Sequence, residues 1–256
     1  MTTVPRRALR AEVWIVLGLS LGQSAVYAVV SLLRKALSDA GVGGSTATLN
    51  PTRDTNAWLD LVLNLLSIGF ALVPVALALY LLSADRRWDP TLPRVRERLG
   101  LLGDRPGHDV AWGALLAAVI GIPGLGVYFA GRALGVTADV VASDLSAHWW
   151  TVPVLVLSAV QNAVLEEVVV VGYLFTRLRQ LRRGPVAIVV VAALLRGSYH
   201  LYQGVGQGLG NVAMGLLLGW FYLRTGRLWP LIVAHTILDV VAFVGYALLA
   251  DTLGLR

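Results

Sequence analysis

The chain contains no cysteine, which excludes a disulfide framework and a metal site built from thiolates. It also contains little charge, since Asp, Glu, Lys and Arg make up 14% of its 256 residues. Soluble domains are usually about 25% charged. Apolar residues make up 57% of the chain, and the mean hydropathy is +0.71. This composition excludes an ordinary soluble domain and indicates a membrane protein.

Negative charge is the scarcer sign, with 15 acidic residues against 21 basic ones and a formal net charge of +6. A basic balance can indicate nucleic-acid binding, but the arginines here fall between apolar stretches. That distribution is the topology signal of a membrane protein. We therefore expect membrane lipids as partners, and no nucleic acid.

Seven apolar segments approach the length of roughly 20 residues that a transmembrane helix needs. They cover residues 12–33, 57–83, 109–132, 150–177, 185–204, 207–223 and 228–250. The sequence thus predicts an all-α fold, a polytopic transmembrane helical bundle of about seven helices. An eighth short element would lie between residues 88 and 102, although that segment is better interpreted as a basic surface segment. Roughly three quarters of the Lys and Arg residues fall in alternate segments that include the N-terminus, which predicts a cytoplasmic N-terminus.

Ionisable residues inside the predicted spans are few, and the strong candidates cluster in the C-terminal part of the chain. They are Glu166, Glu167, Arg196, His200, His235 and Asp239. A carboxylate near the bilayer centre costs about 2.5 to 3.5 kcal/mol. Such residues face a protein interior or a water-filled cavity, so they are candidates for function.

The two glutamates are consecutive, so about 100° of helix rotation separates them. We therefore expect Glu166 and Glu167 to point to different places and to have different roles. Asn162 lies one turn before Glu166, where it is expected to lend that carboxylate a hydrogen bond. Arg196 lies about 18 Å from the cytoplasmic end of the antiparallel fifth span, a depth similar to that of the glutamates. This predicts a buried ion pair between Arg196 and the glutamates.

The histidines also have informative spacing. His235 and Asp239 are four residues apart, as are Arg196 and His200, so each pair lies on one helix face. Two histidines and a carboxylate, here His200, His235 and Glu166, can hold a divalent metal such as zinc with an open position for water. A glutamate backed by a histidine can also deprotonate water without a metal, while a second histidine stabilises the oxyanion. Both chemistries predict hydrolysis of an amide, and the cofactor stays open between a divalent metal and none.

Three stretches carry these residues in order: LEEVVVVGYL, LLRGSYHLYQG and PLIVAHTILD. They resemble the motifs EExxxR, FxxxH and Hxxx(N/D) of the CPBP intramembrane proteases, the family of CAAX prenyl endopeptidases and bacteriocin-processing (Abi) proteins. The resemblance covers about residues 110–250, as a catalytic core within one integral membrane domain formed by residues 1–256. It implies a multi-pass protein that cuts peptide bonds in a cavity open towards the cytoplasm.

The resemblance also implies a role for each matched residue. Glu166 would activate the water, and His200 would help to hold it. His235 and Asp239 would form the oxyanion site or help to bind a metal. Glu167 would stabilise the site or help to bind substrate.

Two positions depart from the family motifs. Val171 stands where EExxxR has its arginine, and Arg196 stands where FxxxH has its phenylalanine. We hypothesise that the two changes compensate, with Arg196 supplying from the fifth span the charge that Val171 lacks.

The sequence as a whole predicts an intramembrane endopeptidase, of glutamic or metalloprotease type, in the plasma membrane of a bacterium. Its substrate would be a peptide or a membrane protein. One alternative is a non-catalytic immunity or scaffold protein of the same fold. Another is a small proton-coupled transporter with Glu166, Glu167 and Asp239 as proton sites. A transporter would more often show two halves with matching broken helices, and we find none in the sequence.

Overall fold

The computed structural model describes residues 5–249, and it is mostly helical, at 74%, with little sheet. The helices are α1 (Arg6–Gly18), α2 (Leu21–Ala36), α3 (Ala57–Ala71), α4 (Val73–Ala84), α5 (Val95–Arg98), α6 (Pro106–Ala133), α7 (Thr151–Glu166), α8 (Phe175–Gln180), α9 (Pro185–Tyr199), α10 (Val205–Thr225) and α11 (Trp229–Leu249). A π-helical segment, Glu167–Leu174, joins α7 to α8, and 3-10 turns occupy Asp85–Arg87 and Leu201–Gln203. Two short strands are present, β1 (Thr46–Thr48) and β2 (Asp139–Val141).

Within residues 5–249, 4 helical stretches are long and apolar enough to cross a membrane. They are Ala57–Arg87, Pro106–Ala133, Thr151–Gln180 and Trp229–Leu248. Helices α1 and α2 meet the same criterion as a pair bent by 53°, which makes up to 5 spans if the pair is one span. A mostly helical structure with 4 to 5 candidate membrane spans is therefore confirmed, whereas the count of seven or eight helices and the cytoplasmic N-terminus stay predictions.

The helix that carries Arg196 is shorter than the predicted fifth span, residues 185–204. Helix α9 ends at Tyr199, so its 15 residues extend about 22 Å, less than the roughly 30 Å of a hydrocarbon core. The chain then turns at Gly204, where φ is 110°, a conformation that favours glycine. A Cβ at Gly204 would also collide with the backbone of Val136 and Thr137. The end of α9 therefore lies against a loop.

The loop that contains Val136 and Thr137 leads into a small parallel sheet that the sequence did not predict. Strand β1 pairs with β2, with Ala47 opposite Val140, and an antiparallel bridge joins Thr137 to Gly204. Lys35, at the end of α2, donates a hydrogen bond from Nζ to the Tyr202 carbonyl at 2.6 Å. These contacts hold the loop after α9 in place, and this loop follows directly on His200.

A cluster of buried charges binds the N-terminal helices to the chain that carries the glutamates. Arg177 is 1% exposed and donates to Glu12 at 2.6 Å and to Asp85 at 2.7 Å. Asp85 also accepts from Arg98 at 3.1 Å, and Tyr173 donates to Glu12 at 2.9 Å. Helices α1, α5 and α8 therefore meet at one network.

A second ion-pair cluster connects the start of α6 to the turn between α10 and α11. Arg227 donates to Asp109 at 2.7 Å and to Asp104 at 2.9 Å. The hydrogen bond from Arg227 holds the pKa of the Asp104 carboxyl below its usual range. Helices α6 and α11 also pack against each other, so this end of the bundle is secured by both charge and packing.

Helices α9 and α10 pack closely because small residues meet at their interface. A Cβ at Gly197 would collide with Val212 and with the Gly208 carbonyl. Such close approach is typical of glycines between membrane helices. Helix α10 therefore packs directly against α9, the helix that carries Arg196.

Candidate active site

Both glutamates lie at the point where α7 changes into the π-helical segment. Glu166 is the last residue of α7, and Glu167 is the first residue of the segment. A π-helix has a wider turn than an α-helix and often marks a functional site. Both carboxylates reach the same guanidinium, so the expectation that they point to different places is wrong. The α-helical rotation on which that expectation rested does not continue past Glu166.

The predicted ion pair between α9 and the glutamates is confirmed. Arg196 donates from Nη1 to Glu166 Oε2 at 3.2 Å, and from Nη2 to Glu167 Oε1 in a short contact. The Arg196 side chain is only 1% exposed. A guanidinium has several donors in a fixed plane, so it can hold two carboxylates at once.

His235 is a second partner of Glu167 Oε1, beside Arg196. Its Nδ1 lies 2.9 Å from Glu167 Oε1. Its Nε2 faces Glu166 Oε2 at 4.0 Å and Asp239 Oδ2 at 3.8 Å, both longer than a hydrogen bond. His235 and Asp239 therefore lie on one face of α11, as their spacing predicts.

Asn162 lies in the site, but it has a different partner from the predicted one. Its side-chain amide donates to Asp239 Oδ2 at 3.3 Å, and no hydrogen bond joins it to Glu166 among the described residues. Residues on α7 and α11 meet here because these two helices pack against each other. The one-turn spacing from Glu166 is correct, yet the neighbouring helix decides which group Asn162 contacts.

His200 lies at the C-terminal end of α9, where its ring bonds back to its own helix. Nδ1 is 2.9 Å from the carbonyl oxygen of Arg196. A carbonyl oxygen only accepts hydrogen bonds, so this contact places the proton on Nδ1 and leaves Nε2 as an acceptor in the neutral ring. This is the tautomer that a histidine needs in order to receive a hydrogen bond from water.

Tyr199 is a site residue that the sequence interpretation missed. Its hydroxyl donates to Glu166 Oε2 at 2.7 Å, and its ring lies 4.8 Å from the ring of His200. Tyr199 is three residues from Arg196, so it shares that face of α9. This spacing was a usable signal, but a single tyrosine in a membrane helix is not unusual enough to be noticed.

The exposure of the acidic side chains increases across the site, from Glu167 through Glu166 to Asp239. The side chain of Glu167 is 0% exposed, that of Glu166 is 11% exposed, and that of Asp239 is 20% exposed. His200 is partly exposed as well. The site is therefore closed behind Glu167 and opens on the side of Asp239 and His200, the direction from which water and substrate can approach.

The predicted metal set of His200, His235 and Glu166 does not fit a metal centre as the side chains stand. Among residues 5–249, no group of three or more His, Asp or Glu residues is arranged to hold a metal ion. Arg196 instead lies between the two glutamates, and Nδ1 of His235 is directed at Glu167. A divalent cation between the carboxylates would have to displace the guanidinium, so we derive no reaction step through a metal.

Comparison with known proteins finds a family match in the part of the chain that contains the site. A family model described as Type II CAAX prenyl endopeptidase Rce1-like matches residues 148–241. The matched range begins just before α7 and ends within α11, so it contains every residue of the site described above. No curated protein and no solved structure matches this chain.

Proposed function

Since residues 148–241 belong to the CAAX protease family, we propose that this protein is an intramembrane endopeptidase that uses Glu166 to activate a water molecule. Members of the family are integral membrane proteases, so membrane location and protease activity follow at the level of the family. Beyond the level of the family, we propose the catalytic residues, a reaction without a metal, and the substrate.

The observation that carries the proposal is the convergence of three groups on one carboxylate. Glu166 accepts hydrogen bonds from Tyr199 and Arg196, and it lies 4.0 Å from His235 Nε2. Glu166 also lies on the open side of the pair, whereas Glu167 is fully enclosed. These features support Glu166 as the general base and Glu167 as a positioning residue.

In the proposed reaction, Glu166 takes a proton from water while His200 Nε2 accepts a hydrogen bond from the same water. The water oxygen then bonds to the carbonyl carbon of the peptide. The carbonyl electron pair moves onto oxygen, where His235 in its doubly protonated form donates from Nε2, because its Nδ1–H is directed at Glu167. The Asp239 carboxylate, held by the Asn162 amide, balances the positive charge of that ring. Collapse of this intermediate breaks the C–N bond, and the proton held by Glu166 passes to the leaving amine.

Arg196 and Glu167 support this chemistry without touching the substrate. Arg196 keeps both carboxylates at fixed positions, and Glu167 orients His235 through Nδ1. A base held by well-packed partners stays close to the geometry that the reaction requires. We propose a peptide or membrane-protein tail as substrate, entering on the side of Asp239, and the plasma membrane of a bacterium as the location.

The test compares Glu166→Gln with Glu167→Gln in a cleavage assay. Protein purified in detergent would be incubated with quenched-fluorescence CAAX tail peptides, both farnesylated and unmodified. Glu166→Gln should lower kcat by about 10²- to 10⁴-fold, the usual contribution of a general base. Glu167→Gln should act through His235 and leave more residual activity. Glu97→Gln, an exposed glutamate outside the site, is the matched control.

The same assay separates the alternatives. Activity that persists in a chelator supports the metal-free reaction, whereas loss in chelator and recovery with zinc would overturn it. Cleavage by Glu166→Gln at the rate of the unmodified protein would remove Glu166 as the base. A well-folded unmodified protein that cuts neither peptide would favour the non-catalytic alternative.

A further inference from the structure

A groove with a basic rim is formed by side chains from residues 79–101, a part of the chain distant in sequence from the acidic site. It has a volume of about 790 Å³ and lies between the end of α4 and the segment around α5. Its apolar floor includes Leu79 and Leu101, and its rim carries Arg86, Arg87 and Arg96, together with Arg94. No acidic residue is among the nine that line it.

Within the described residues, Arg86, Arg87 and Arg96 of the rim have no acidic partner. Arg86 and Arg96 are exposed, and within residues 5–249 neither makes a side-chain hydrogen bond or an ion pair. Arg87 contacts only the ring of Tyr80, at 6.0 Å. By contrast, Arg98, Arg177 and Arg227 are all paired with carboxylates. The positive charge of the groove is therefore available to a ligand.

The position of the groove points to the surface of the bilayer. The candidate span Ala57–Arg87 ends at the rim, so the guanidinium groups lie where a membrane helix leaves the hydrocarbon core. Trp88 is 49% exposed and Tyr80 is 58% exposed beside it. Aromatic side chains of this kind are enriched at the level of the lipid headgroups.

We propose that this groove binds an anionic phospholipid of the surrounding bilayer. The arginine rim would contact the phosphate, and the apolar floor would receive the upper part of an acyl chain. Clusters of Lys and Arg next to a membrane helix attract anionic lipids, with about 1 kcal/mol for each basic residue near the surface. A ligand with an anionic head and an apolar tail matches both parts of the groove, which a soluble anion does not.

Delipidated protein in detergent provides the first test. Binding of fluorescent phosphatidylglycerol, fluorescent phosphatidylcholine and soluble glycerol 3-phosphate would be measured separately. Phosphatidylglycerol should bind at least about tenfold more tightly than either of the others. Equal binding of phosphatidylcholine would overturn the proposal, and so would glycerol 3-phosphate binding as tightly as the whole lipid.

A pair of triple variants provides the second test. Arg86→Gln/Arg87→Gln/Arg96→Gln removes three charges from the groove, and Arg179→Gln/Arg182→Gln/Arg183→Gln removes three exposed charges from the end of α8 and the turn that follows it. The groove variant should bind phosphatidylglycerol at least about tenfold more weakly, and the control should change by less than about twofold. An equal loss in both variants would show a general charge effect and would overturn the site. An acidic peptide that displaces the lipid at equal concentration would identify a peptide surface instead.

Discussion

At Arg196, one guanidinium balances two carboxylates from a neighbouring helix, and its side chain is almost completely buried. Removing one partner of a buried pair leaves the other charge without compensation, which costs about 3 to 5 kcal/mol. Arg196 is therefore important for stability and also for the position of the base.

Restoring the charge from the motif position tests the proposed compensation. Arg196→Leu should lower the thermal midpoint and abolish cleavage, because both glutamates lose their counterion. Val171→Arg in that background should recover part of each property, because the family motif has arginine there. Val170→Arg, one position away and equally buried, is the matched control. If Val171→Arg restores nothing, the two departures from the motif are independent.

Tyr199 gives a second prediction at the scale of one residue. Tyr199→Phe removes the hydroxyl that donates to Glu166 at 2.7 Å but keeps the ring. A hydrogen bond to a charged group contributes about 1.5 to 3 kcal/mol, so kcat should fall roughly 10- to 100-fold. Tyr222→Phe, a buried tyrosine in the core without a contact to the site, should leave kcat unchanged. Full activity in Tyr199→Phe would remove this tyrosine from the mechanism.

At the scale of the element, the π-helical segment and the short helix α9 together create the site. The π-helical segment brings Glu166 and Glu167 to the same guanidinium, and α9 ends early enough to place His200 at its terminus. The charge cluster around Arg177 lies at the far end of the same continuous helix. Contacts made there therefore help to hold the glutamates in position.

Asp85 tests whether that charge cluster stabilises the bundle. Asp85→Asn leaves buried Arg177 with Glu12 as its remaining charged partner. The free energy of unfolding should fall by about 3 kcal/mol, at the lower end of the range for breaking a buried pair. Asp89→Asn, a nearby acidic residue without an ion pair in the described structure, should leave the thermal midpoint unchanged. Equal midpoints for both variants would contradict a stabilising role.

At the scale of the whole molecule, topology is the property that the distribution of arginines predicts. The chain contains no cysteine, so a single introduced cysteine can be labelled without background. Thr55→Cys and Val205→Cys should react with an impermeant thiol reagent from outside, and Arg183→Cys from the cytoplasmic side. Protection of Val205→Cys from outside, with reaction from inside, would show that α9 and α10 do not cross the membrane.

The sequence by itself determined that this protein is a helical membrane protein, since composition and long apolar segments are properties of the local chain. It also identified the charged and histidine residues of the site, because each is unusual in its apolar surroundings. The pairing of Arg196 with the glutamates followed from depth alone, and the family motifs agree with the matched range.

Only the tertiary structure decided how these groups contact one another. The change to a π-helix at Glu167, the bond from Asn162 to Asp239 and the place of Tyr199 beside Glu166 all depend on which helices pack together. The parallel pairing of β1 with β2 likewise joins segments that are far apart in the chain. Periodicity describes one helix at a time, so it cannot specify contacts that arise between helices.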